Sequence, residues 1–224
     1  MKIFNWFDLL VVVLLAVGIF HGRKRGMSLE LLPLFELLVI VVVGAKIYSL
    51  FGTKLSEWTN GTMSLLASFI GAYILFGLVT HMIFTRLKRA VGEKLVGGDI
   101  FGSMEYYFGM AAGMLRYACY IMIGLALLNA KPIDEAKEKA YRKTEKDNLG
   151  NIQFPTTTSI QINVFNESRV GSFSRSHLAD LLIAPTAPNA KAPKREAIAR
   201  KREKAVDEVI SGTTSPPSTA PKAQ

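Results

Sequence analysis

The chain has 224 residues, half of them hydrophobic, a formal net charge of +9 and one cysteine. The apolar residues arrive in blocks instead of being spread periodically among polar ones, which argues against a soluble helical bundle. One thiol excludes an internal disulfide and says nothing about redox compartment.

A membrane crossing takes roughly 20 predominantly apolar residues, and four segments meet or approach that length. Leu9–Phe20 is an unbroken apolar run that Phe4, Trp6 and Phe7 extend, leaving Asp8 near one interface. Leu31–Ala45 is apolar except for Glu36, and reaches spanning length when Glu30 and Lys46 are accepted near its ends. Met63–Phe84 contains no Asp, Glu, Lys or Arg, and Phe108–Leu128 contains only Arg116. The expectation is an all-α polytopic membrane protein with four transmembrane helices in residues 1–130, at about 3–22, 28–49, 63–84 and 106–129. A polar, partly disordered C-terminal tail follows. The first block is not a secretory signal: only Lys2 precedes it, Arg23, Lys24 and Arg25 follow it, and no convincing small-residue cleavage site intervenes.

Orientation follows from the short loops. Those after the first and third helices carry Arg23, Lys24, Arg25, Arg86, Lys88, Arg89 and Lys94; the N-terminus and the region after the second carry Lys2, Lys46 and Lys54. The positive-inside rule puts the first set in the cytoplasm and the N-terminus outside, and four crossings bring the tail outside too. The tail's sixteen Lys and Arg against eleven Asp and Glu pull the other way. Long tails translocate largely regardless of charge, so the short loops decide.

Residues 131–185 read as a polar stalk with a short membrane-proximal segment. Within it, 131–148 is charged and helix-favouring, and 152–165 is rich in Thr, Ile and Val and reads as extended, with Pro155 against a central strand. Residues 174–184 set Leu178, Leu181 and Leu182 at helical spacing with Ser176 as N-cap, either on the membrane surface or docked on the bundle. Residues 186–224 are a Pro/Ala/Lys-rich disordered tail holding a basic helix candidate. The tail's basic segment, Lys191–Lys204, has no aromatic residue for base stacking. A solvated helix comes first and anionic lipid second, while nucleic acid is disfavoured.

Signatures of catalysis are missing. His21, His81 and His177 are isolated from one another and from Cys119, so neither a metal nor a cofactor is expected. Residues 92–102 are glycine-rich but lack the Gly-Lys-Ser/Thr of a phosphate loop. They read as a turn between the third and fourth helices.

Two motifs carry a family resemblance. Trp6 and Asp8 open the first helix, Arg25 and Gly26 close it, and Glu30 follows. Near the fourth helix, "EYYFGMAAGMLRY" sets Glu105 four residues before Gly109, then Gly113, then Arg116. Over roughly residues 3–130 the chain resembles the colicin V production protein family of bacterial inner-membrane proteins. That family's pattern here is Asp-Arg-x-x-Gly-x-x-x-Gly-x-x-Arg-Gly, from which Glu105, Tyr106 and Tyr117 depart. The resemblance implies a bacterial inner-membrane location, no enzymatic activity, and a role in producing or exporting a peptide toxin and in envelope homeostasis. Partners are then the lipid bilayer, a second copy of the chain, or an export or envelope protein.

Small residues at i and i+4 let helix backbones approach closely in lipid, which assigns Gly109 and Gly113 to a packing face. Arg116 shares that face and requires protein or water beside it, and a partner. At 1.5 Å per residue, Glu36 lies roughly 12 Å and Arg116 roughly 15 Å from the cytoplasmic ends of their helices. This depth makes Glu36 the expected partner, with Glu30 and Glu105 nearer the surface and hydrated. Such a pair either fixes helix register or, in the alternative reading, lines the path of a small channel or transporter.

Overall fold

The computed structural model describes residues 5–59, 62–96, 102–149, 155–188, 190 and 206. It is all-helical, with no strand among those residues. Three helices are long and apolar enough to cross a membrane: α1 (Trp6–Trp58), the Leu65–Ala90 portion of α2 (Leu65–Val96), and α3 (Glu105–Asn129).

The 53 residues of α1 do not form one rod, because Gly26 interrupts it at φ 75° and ψ 168°. A backbone of that kind is open to glycine and strained for a residue with a side chain. Contacts on either side show what the break does. Gly22 lies against Gly109 and Gly26 against Glu105, an antiparallel register. Continued straight, residue 30 would run past the start of α3, yet Glu30 reaches forward to Arg116. The chain reverses at Gly26. The half before it runs antiparallel to α3, and the half after it runs alongside α3 in the same direction and antiparallel to α2. Gly44 meets Tyr73 and Phe76, and Gly52 meets Phe69. Pro33 lies inside the second half, about two turns after the break, and supplies no N–H to the Leu29 carbonyl one turn earlier.

A core of Phe7, Val11, Leu37, Ile40, Tyr48, Phe69, Tyr73, Cys119 and Leu125 joins all three helices. Their outer faces carry exposed Leu, Val, Phe and Met, such as Val12, Phe20, Phe51, Leu75 and Met82. An apolar exterior around an apolar core is what lipid contact requires.

The C-terminal segments form a cap on one end. Helix α4 (Glu135–Leu149) leads to α5 (Thr157–Ile162), a π turn at Asn163–Glu167, α6 (Arg169–His177) and a 3-10 turn at Ala179–Leu181. The expected extended conformation of 152–165 is therefore corrected over the residues described. Thr156, just after Pro155, caps a helix by accepting from the Ser159 N–H at 3.1 Å, and Val164 and Phe165 turn into the core. Ser176 is likewise not an N-cap. Ser168 caps α6 through the Gly171 N–H at 2.8 Å, and Ser176 stands in that helix's last turn.

Docking of the cap is specific. Gln161 donates to the carbonyls of Leu128 and Lys131 at 2.5 and 2.9 Å, and Asn129 donates to the Ile183 carbonyl at 3.0 Å. The Ala184 N–H donates to the Tyr48 hydroxyl at 2.9 Å, and the Thr186 N–H to the Ala130 carbonyl at 2.8 Å. Leu182 and Ile183 are buried in the core and Leu181 packs against it, so this part of 174–184 joins the bundle. Of the segment 92–102 expected as a turn, 92–96 instead continue α2 and 102 opens a 3-10 turn, while 97–101 lie outside the described residues, as do Lys2, the basic segment 191–204 and, apart from residue 206, the tail's end.

Candidate functional site

Close backbone packing organises the site. Gly18 and Gly22 on the first half of α1 face Gly113 and Gly109 on α3. A Cβ added at Gly18 would stand 2.8 Å from the Gly113 carbonyl oxygen, and one at Gly109 would stand 2.6 Å from that of Gly22. The glycine face expected at 109 and 113 is thus engaged within the chain. Its other half, Gly18-x-x-x-Gly22-x-x-x-Gly26, is a small-residue repeat legible in the sequence that the motif reading passed over.

The Gly26 reversal then places Glu30 at the centre. Its side chain is fully buried; Oε2 accepts from Arg116 Nη1 at 2.6 Å, and Oε1 lies 3.6 Å from Arg25 Nη1. Arg116 is itself buried and lies 5.6 Å from the Tyr117 ring centroid. Arg116 has the carboxylate partner its depth demands, but that partner is Glu30 and not Glu36. Glu30 is not the hydrated surface group expected.

Glu36 instead meets His81 of α2, Oε1 to Nδ1 at 2.6 Å. The physical reason is helical phase. Six residues separate the two glutamates, so they point about 120° apart around the axis at 3.6 residues per turn. One faces α3 and the other α2. His81, read from sequence as isolated, gains its neighbour only through that antiparallel pairing.

Glu105 packs against Gly26 and lines a cleft of about 200 Å³ with Arg23, Lys24 and Arg25. A larger cavity, about 690 Å³, lies between the second half of α1, α2 and α3; Arg25, Glu36, His81, Lys88 and Arg116 line it. Asp8 belongs to the opposite end. Its carboxylate accepts from the Arg169 and Val170 N–H groups at 3.2 and 3.1 Å, at the start of α6. There it meets the positive end of the helix dipole. Asn5 adds a bond from Nδ2 to the Asn163 carbonyl at 2.6 Å. No group of three or more metal-ligating side chains occurs among the described residues.

Helices of this length and apolarity, closed on themselves by glycines and a buried ion pair, fit a helical membrane protein. The family model for colicin V production protein matches residues 7–169, and the chain belongs to that family. No curated protein and no solved structure matches it.

Proposed function

We propose that the chain is a non-enzymatic, four-crossing protein of the bacterial inner membrane, acting in production or export of a peptide toxin and in envelope homeostasis. The family match over residues 7–169 carries this reading, in a family not known for enzymes. The reversal at Gly26 supports four crossings, since each half of α1 is long enough to span at 1.5 Å per residue. The basic residues at 23–25 and 86–89, in the helix ends of α1's first half and of α2, favour a cytoplasmic position for that end, and the cap then lies outside. In cells making a colicin V-type toxin, deletion should lower toxin yield in the medium and raise detergent sensitivity, and the intact chain should restore both. Unchanged yield and unchanged sensitivity would remove the reading.

A second reading, a small channel or transporter, is favoured by one observation: Arg116 and Glu36 line the same cavity. Purified chain in liposomes should then pass ions or solute faster than empty liposomes do. Equal leak rates would sink it.

A further inference from the structure

The 690 Å³ cavity has an unbalanced lining. Arg25, Lys88, Arg116 and His81 stand against the single carboxylate of Glu36. Glu36 is engaged by His81 and buried Glu30 by Arg116 through Oε2, while Glu30 Oε1 has only Arg25 at 3.6 Å and no hydrogen-bond partner. Positive donor capacity remains. Lys88 is exposed and has no hydrogen-bond or ion-pair partner among the described residues. The Nε of Arg116 is buried without a hydrogen-bond partner, although the residue is only 7% exposed. An acceptor in the cavity would meet Lys88 and the part of Arg116 that lines it, while Nε itself is closed to solvent.

The shape of the cavity indicates the source of that acceptor. The second half of α1 forms its back, and α2 and α3 form its sides without extensive contact with one another. Next to Phe84 and Lys88, Ile83 and Leu87 present exposed apolar side chains. A ligand with an anionic head and apolar tails suits a basic pocket beside an apolar flank, and Arg and Lys together are a phosphate-recognising pair. We propose that this cavity holds the phosphate of an anionic phospholipid entering between α2 and α3, with Arg116 and Lys88 as donors and Arg25 at the mouth. The proposal rests on the membrane-spanning reading and is independent of the toxin-export role.

Thermal unfolding of the purified full-length chain in neutral detergent tests it, with phosphatidylglycerol, phosphatidylcholine or inorganic phosphate added. Phosphatidylglycerol should raise the midpoint by about 5 °C near saturation, and the other two should leave it in place. Each variant is judged by its shift from its own lipid-free midpoint. Lys88→Gln and Arg116→Lys should lose most of that shift; Arg116→Lys keeps the charge facing Glu30 while removing the forked donors. Lys46→Gln, a cation outside the cavity, should keep it. An equal shift with inorganic phosphate would replace the lipid by a soluble anion. A shift retained in Lys88→Gln and Arg116→Lys, or lost equally in Lys46→Gln, would overturn the cavity as the site, and so would no shift at all. A chain that stays soluble without detergent would instead overturn the membrane reading itself.

Discussion

Glu30 is the charge on which this bundle turns, because it is fully buried and answers both Arg116 and Arg25. Breaking a buried pair by removing one partner typically costs about 3–5 kcal/mol, whereas removing both charges costs far less. Glu30→Gln and Arg116→Gln should each lower unfolding stability in detergent by that order, and the double substitution should recover most of the loss. Glu36→Gln should cost at most about 1 kcal/mol, since the His81 side chain it meets is 65% exposed. A loss at Glu36 equal to that at Glu30 would reassign the pair. The sequence made legible that Arg116 needs a carboxylate, because a charge at that depth demands one. It did not reveal which carboxylate. Depth counted from helix ends assumes that the ends are level, but the glycine contacts set α3's register against the first half of α1. The facing residue in the second half is decided by that register and by phase.

At the scale of the helix, the seam between α1 and α3 depends on residues without side chains. Gly22→Ala or Gly109→Ala drives a methyl into the facing backbone, which cannot yield like a side chain. Each should cost about 1–3 kcal/mol as overpacking and lower the yield of folded protein. Gly26→Ala adds backbone strain at φ 75° to a clash with Glu105. Gly124→Ala is the contrasting case. An added Cβ meets nothing within 4 Å there, and alanine favours helix by up to about 1 kcal/mol. Melting the four variants side by side checks the ranking, and a Gly22→Ala protein as stable as Gly124→Ala would remove the seam. Outside the spans, Asp134 caps α4, accepting from the Lys137 N–H at 3.1 Å and pairing with its Nζ at 2.9 Å. The side-chain hydrogen bond from Lys137 is the first cause holding its carboxyl below the ordinary 3.8. A lowered folded-state pKa gives stability that is complete above the unfolded value and lost as pH falls through the folded one. Amide exchange in α4, corrected for its intrinsic pH dependence, should therefore quicken only in acid. Helical segments were legible from block length. The cap's short helices were not, because Thr- and Val-rich composition favours strands while Thr156 and Ser168 supply helix starts.

Over the whole molecule, the contacts tie both ends of the described chain to one side. Asn5 and Asp8 hold the cap at Asn163, Arg169 and Val170, while Gly26 and Glu105 meet at the other end. Which end faces the cytoplasm follows separately, from the basic residues at 23–25 and 86–89. The two inferences part under one experiment, thiol labelling of intact cells with a membrane-impermeant reagent. The native Cys119 is buried and should give little background. Ser176 on the cap and Arg23 beside the break are both exposed, so a cysteine at either is within reach of reagent on its own side. Ser176→Cys should label in intact cells and Arg23→Cys only after the membrane is opened. The reverse pattern would keep the fold and invert its orientation, placing the cap inside. Labelling of both in intact cells would contradict the arrangement itself, since the Gly26 end and the cap end could not then lie on opposite faces of the membrane.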